Sequence, residues 1–266
     1  MENRKTVLSL TAGIVLAAFG SPYADHMELI TDRPDRSESS HTVPRGSMQI
    51  ESGWGFARHE EGRITEERHE ILGSLLRYGL NDRVEFRLGW SGYLRQSGAG
   101  EIEKGAGDAT LGTKIFMWEE KGVLPEAAFL AGVSLPVGEE HFTSHEPDPS
   151  FRYAFSHSLS DRFGLSYNLG ASWVTELHQP DEKHTHSFFN YTAAFSMELN
   201  SRMGLFTEFF GDIPFNSGHL PANNLDGGLT FLILENLQLD LAAGAGLSKE
   251  TDDWFLGLGV SARFPK

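Results

Sequence analysis

Charges of both signs recur along this chain at every second position, flanked by apolar neighbours, and that spacing is the first hint of chemistry. Arg83, Glu85 and Arg87 share one side of one extended segment, with Arg83 and Arg87 flanking Glu85. Second-neighbour spacing puts such groups on one face of a strand. Arg77, Asp108, Lys114, Glu208 and Asp240 occupy the equivalent parity of other segments, as do Glu51, Glu126, Arg152, Asp212, Asp226 and Arg263. If those faces converge, two outcomes follow: a structural lining of mutual ion pairs, or a charged surface that selects what passes. Arg77, Arg83, Glu85, Arg87, Asp108, Lys114, Glu208 and Asp240 are the residues expected to line and select. Uncommitted guanidinium groups would steer an anionic or phenolic solute.

Other chemistry is weaker. His184-Thr-His186 sets two imidazoles on one strand face, with His141, His145 and His178 in other polar stretches. Imidazole suits zinc, copper or nickel, but a pair without convergent support reads as solvated histidine, so no metal is expected. Ser156-His157-Ser158 is the nearest match to a nucleophile beside a base. Neighbours on a strand point to opposite faces, and no P-loop, dinucleotide fingerprint or HExxH motif is present. Neither an enzyme nor a cofactor is expected.

The elements that carry these residues are strands. The chain has 266 residues, no cysteine, 29 glycines and a formal net charge of -15. The absence of cysteine excludes disulfides and thiolate metal sites, and the acidic balance argues against nucleic acid. From Met48 to Phe264 apolar residues alternate with polar or small ones. Val84, Phe86, Leu88 and Trp90 oppose Arg83, Glu85, Arg87 and Gly89; Trp254, Leu256, Leu258, Val260, Ala262 and Phe264 alternate likewise, with Phe255 the one exception. Twelve segments are expected, at 48–58, 66–80, 82–94, 106–117, 123–135, 149–159, 162–175, 185–199, 202–213, 222–234, 237–248 and 252–264. Their lengths suit a tilted membrane strand of ~9–11 residues. Tight breaks at Asn81-Asp82, Ser160-Asp161, Asn200-Ser201 and Glu235-Asn236 alternate with longer polar ones at 59–65, 95–105, 137–147, 176–184 and 214–221.

Short turns at one end and long loops at the other describe an outer-membrane barrel. In lipid every backbone N–H and C=O must be satisfied within the protein, and extended strands achieve that only by closing on themselves. The fold expected is therefore an all-β, transmembrane, antiparallel up-and-down barrel of about twelve strands over 48–266. Its apolar parity faces lipid and its polar parity a wet interior. Tyr78, Trp90, Tyr93, Trp118, Phe163, Trp173 and Trp254 fall near strand ends, where aromatic girdles belong. A soluble barrel with the faces reversed is the competing arrangement.

Ahead of the strands, Arg4 and Lys5 precede an apolar stretch, Val7 to Phe19, followed by small residues at Gly20, Ser21 and Ala24. This is the pattern of a secretion signal over 1–24, cleaved after Gly20 or Ala24. Residues 25–47 are polar, with Pro34 and Pro44 and no alternation. They are expected either to trail in the periplasm or to plug the barrel mouth, with Asp32, Arg33, Asp35 and Arg36 pairing with lumen charges.

Three strings carry a family resemblance: Thr31-Asp-Arg-Pro-Asp-Arg-Ser-Glu-Ser39 leading through Thr42-Val-Pro-Arg-Gly46 to Gln49-Ile-Glu-Ser-Gly53; Leu76-Arg-Tyr-Gly-Leu-Asn-Asp-Arg-Val-Glu-Phe-Arg-Leu-Gly89; and Gly105-Ala-Gly-Asp-Ala-Thr-Leu-Gly-Thr-Lys114. They resemble the channel family named for the MetA pathway of phenol degradation. The resemblance implies an outer-membrane barrel that passes aromatic or other small hydrophobic compounds. The terminus departs from barrel habit: Phe264 is followed by Pro265 and Lys266. Expected partners are outer-membrane lipid, the barrel-assembly machinery and a small-molecule solute. Two alternatives stand beside a channel: a non-conducting barrel that binds a partner through its outer loops, and an outer-membrane lipid-modifying enzyme.

Overall fold

A computed structural model describes residues 28–179, 182–215 and 220–265. The secretion-signal expectation lies outside them. Fourteen strands run in chain order: β1 (Met48–Glu61), β2 (Ile64–Asn81), β3 (Val84–Trp90), β4 (Tyr93–Gly98), β5 (Glu101–Ala106), β6 (Ala109–Trp118), β7 (Glu126–Leu135), β8 (Asp148–Ser158), β9 (Phe163–Gln179), β10 (Glu182–Asn200), β11 (Met203–Pro214), β12 (Ala222–Leu234), β13 (Leu237–Gly246) and β14 (Trp254–Phe264).

They build a wall of twelve. β3 and β4 pair with successive halves of β2, so they are one wall strand broken at Ser91–Gly92. β6 and β5 extend that arrangement, pairing with β3 and β4 respectively, with their own break at Gly107–Asp108. All remaining neighbours are antiparallel, and β1 pairs with both β2 and β14, which closes the barrel. Gly92 permits the first break: its φ is +80°, and a Cβ there would lie 2.5 Å from the Ile71 carbonyl oxygen. Opposite it, β2 carries a bulge at Leu72, where the register with β1 slips by one residue between Gly53↔Gly73 and Trp54↔Ile71.

The apolar parity is outside. Leu88, Leu111, Phe151, Leu169, Leu205, Leu229, Leu241 and Leu258 are all exposed on the outer surface, while the largest fully buried side chains include Arg77, Lys114, Gln49, Glu51, Glu85 and Glu208. A core of ions with leucines outside is unstable in water and stable only where hydrocarbon replaces water at the wall. The girdle residues Tyr78, Trp90, Tyr93, Trp118, Phe163 and Trp254 are likewise outward and exposed.

Three of the sequence expectations need correction. The polar breaks at 59–65, 95–105 and 176–184 are not loops over most of their length. β1 and β2 run on to a turn at Gly62–Arg63, β4 and β5 meet at Ala99–Gly100, and β9 and β10 extend to Gln179 and Glu182. Beyond the bilayer both faces of a strand are wet, so alternation fades although pairing continues. Arg58, for instance, is half-buried on β1 and pairs with Glu60 at 2.6 Å and across the strands with Glu67 at 3.5 Å. The 137–147 stretch is a true loop with a short helical turn, Glu140–Phe142.

Candidate functional site: the charged lumen and the segment inside it

Inward parity brings Arg77 of β2, Glu85 and Arg87 of β3, Lys114 of β6 and Glu51 of β1 to one side of the lumen. Arg77 donates to Glu85 from Nε at 2.9 Å and from Nη2 at 3.0 Å, and to Glu51 from Nη1 at 3.0 Å. Arg87 Nη1 donates to Glu85 at 2.9 Å. These side chains are almost wholly withdrawn from solvent. Buried charges demand partners, because removing an ion from water costs several kcal/mol unless hydrogen bonds and opposite charge offset it.

The N-terminal segment supplies the missing partner. Asp32 projects its carboxylate among three cations: Arg87 Nη1 at 2.6 Å, Lys114 Nζ at 2.9 Å and Arg77 Nη1 at 3.1 Å. Ser39 donates to the same carboxylate from its backbone N–H at 2.9 Å and its hydroxyl at 2.8 Å. The Asp32 backbone N–H in turn donates to Glu51 at 2.9 Å. Glu38 takes a second bond from Arg87, at 2.6 Å.

From there the segment reaches around the wall. Arg33 donates to Asp240 of β13 at 3.2 Å. Inward glycines make room for that arginine: a Cβ on Gly53 would sit 2.5 Å from its Nη2. The Arg36 backbone N–H and the Ser37 hydroxyl donate to the two oxygens of Glu208 on β11, at 2.7 and 2.6 Å. Glu38 exchanges backbone bonds with the Asn168 side chain of β9, at 2.7 and 2.9 Å. Ser40 donates to Glu126 of β7 at 2.6 Å and to Ser156 of β8 at 2.9 Å. The Val43 N–H donates to Glu85 at 2.8 Å, and Arg45 forms a bridge to Gly79 at the end of β2. Gln238 of β13 donates to Thr31 and Arg263 of β14 to the Glu28 carbonyl oxygen. Among the described residues, β12 is the wall strand joined to the segment by no hydrogen bond or ion pair.

Arg77, Glu85, Arg87, Lys114, Glu208 and Asp240 thus converge on one interior, with Asp32, Arg33 and Arg36 against them. Asp35 is interior too, but it lies beside the carboxyls of Glu208 and Asp226 instead of against a cation. Two expected lumen residues do other work. Arg83 sits in the exposed turn before β3 and places its guanidinium 5.9 Å from the centre of the Phe116 ring, so Glu85 pairs with Arg77 and Arg87 instead. Asp108 lies at the β5–β6 break, where its carboxylate accepts the N–H of Gly138 at 2.8 Å and of Ser144 at 3.4 Å, anchoring the 137–147 loop.

The remaining candidates separate. Ser156 turns inward to Ser40, whereas His157 faces out, stacked 6.1 Å from Tyr167 and 3.5 Å from Glu120. The Ser158 N–H, donating to Glu120 at 3.0 Å, holds that carboxyl below its usual range. His186 lies 3.7 Å from Glu176, and His141 3.1 Å from Glu103. The side chain of His178 lies outside the described residues. Among the described residues no three His, Asp or Glu groups converge to hold a metal. Sequence reasoning did not single out the inward phenylalanines Phe206 and Phe210 of β11, both buried. Their shared parity with Glu208 was the available signal.

Comparison with solved structures finds the same architecture. The COG4313 outer membrane channel from Pseudomonas putida F1 aligns with a TM-score of 0.68 at 14% identity, over 85% of this chain and 98% of that one. The NanC porin aligns with a TM-score of 0.50 at 9% identity, over 81% of this chain and 98% of that one. At such identities the likeness is one of fold. Comparison with curated protein sequences gave no match. The profile of the family described as the MetA-pathway of phenol degradation matches residues 31–264, so this outer-membrane barrel belongs to that family.

Proposed function

We propose that the barrel gives small solutes passive passage across the outer membrane, hydrophobic or aromatic ones foremost, with residues 25–47 acting as its plug. The observation that carries this reading is the placement of a polar segment inside a membrane wall, bonded to inward side chains on nearly every strand. Charged side chains that ring a lumen are the groups that set which solutes pass. The solved structure of similar fold is itself described as an outer membrane channel, and the family's description points to aromatic compounds. Outer-membrane lipid surrounds the wall, and the barrel-assembly machinery inserts it. The reading includes no enzyme activity: Ser156 and His157 face opposite sides, so they form no nucleophile–base pair.

Planar-bilayer conductance of the refolded barrel and solute-driven swelling of proteoliposomes test this together. Unit conductance with uptake of aromatic acids is the expected result. A barrel that folds yet shows neither would remove transport and favour a surface that binds through its outer loops.

A further inference from the structure

Asp226 on β12 stands apart among the interior carboxylates of the wall strands. Glu51, Glu85, Glu208, Asp212 and Asp240 each accept a hydrogen bond from a named donor. Asp226 is 7% exposed, and its buried Oδ1 accepts none among the described residues. Its cross-strand neighbour Glu208 is already engaged by Arg36 and Ser37.

The surroundings are equally unusual for this lumen. Phe206 and Phe210 of β11 are buried on the inward side, and Phe255 of β14 meets Phe210 edge to face, ring centres 6.1 Å apart. Between them the wall is stripped to glycine. A Cβ on Gly228 would lie 2.5 Å from Cε1 of Phe206, and one on Gly244 would lie 2.6 Å from the Asp226 Cβ and against the Phe255 ring. The rings therefore lie along the wall beside the carboxyl. Arg36 of the N-terminal segment holds its guanidinium 5.5 Å from the centre of Phe210. It is a cation on a face that a second ring could occupy instead.

We infer that Phe206, Phe210, Phe255 and Asp226 form a solute subsite for a compact aromatic body bearing one hydrogen-bond-donating head, a phenolic hydroxyl above all. The three rings supply offset and edge contacts, which aromatic pairs prefer. The carboxylate completes its hydrogen bonding only when a donor arrives, and an O–H donating to a carboxylate is among the stronger such bonds. An ether or a carboxylate in the same place leaves the oxygen unpartnered or opposed. Asp226 is then the residue that decides which aromatic compounds dwell in the lumen. This rests on the passage reading above, and its test is built to fail separately.

The probes are 4-ethylphenol and its methyl ether, matched in ring and chain and differing in the donor. Binding to the folded, detergent-solubilised full-length protein is measured by equilibrium dialysis, and passage by uptake in intact cells carrying the protein. The native barrel should bind the phenol about tenfold more tightly than the ether, the usual discrimination for one buried hydrogen bond. Asp226→Leu should lower phenol binding to the level of the ether, Asp226→Asn should keep the preference, and Phe255→Ala should weaken both probes alike. Equal binding of the two probes by the native protein would overturn the inference without any variant. So would a preference that survives in a folded Asp226→Leu barrel. If neither probe passes while the preference in binding stands, the passage reading fails and the subsite survives.

Discussion

Asp32 and Lys114 are 82 positions apart, yet the lysine ammonium lies 3.0 and 2.9 Å from the two oxygens of that one carboxylate, deep inside the barrel. The contact joins the segment ahead of the first strand to the sixth, and Arg77 and Arg87 close on the same carboxylate. Removing one partner of a buried ionic cluster costs more than the pair contributes, because the remaining charges stay desolvated.

Asp32→Asn should therefore loosen the segment by about 3–5 kcal/mol, the usual penalty for breaking a buried pair. The wall's own hydrogen bonds are untouched, so strand content by circular dichroism should hold. Limited proteolysis should cut the segment sooner, and unit conductance should rise. A variant with native conductance and native protease resistance would show that the cluster does not hold the segment in place.

Arg87→Ala removes the bonds to Asp32, Glu38 and Glu85 together. If this guanidinium selects among solutes, uptake of aromatic acids should fall relative to neutral aromatics of equal size. Unchanged relative uptake would confine Arg87 to a structural role.

Ser37 Oγ of the segment and Thr192 Oγ1 of β10 are 2.5 Å apart. The chain has no cysteine, so a double variant, Ser37→Cys with Thr192→Cys, introduces one unambiguous pair. A disulfide spans about 2.05 Å between sulfurs, and mild oxidation should form it. The crosslinked barrel should show low conductance that rises on reduction. Failure to crosslink in a folded barrel would place the segment elsewhere in the membrane-embedded protein.

Leu241 is exposed on the outer face near the middle of β13, between Leu229 of β12 and Leu258 of β14. An arginine at mid-bilayer costs roughly 2–4 kcal/mol. Leu241→Arg should lower folding free energy into phospholipid vesicles by that amount, whereas Glu60→Arg, on the strand extension beyond the hydrocarbon, should change it little. Equal effects at the two positions would mean that the outer wall does not meet lipid where the alternation says it does.

Much of the wall was legible because a strand's two faces meet different solvents. Ile50, Leu88 and Leu258 need hydrocarbon, and Glu51, Glu85 and Gly259 need the interior, so a period of two is written into the residues themselves. Where both faces are wet the code falls silent. Ile64 and Thr65 pair in register with Glu61 and Glu60 of β1, yet they read as part of a loop. Arg83 kept the lumen parity but sits one step beyond the strand, in a turn. Asp108 sits at a strand break that no local pattern announced.

The sequence by itself determined which side chains share a face, how many strands form the wall and that the faces are inverted relative to a soluble protein. These follow from local spacing and from the cost of unsatisfied backbone in lipid. Closure decided the rest. Only when β1 met β14 did residues some 200 positions apart, Arg33 and Asp240 among them, come within bonding distance. Only then did Asp226, one carboxylate among many in the chain, become the one set among phenylalanines on the strand the segment leaves free. Alternation fixes the direction in which a side chain points; what it meets there depends on strands distant in the chain.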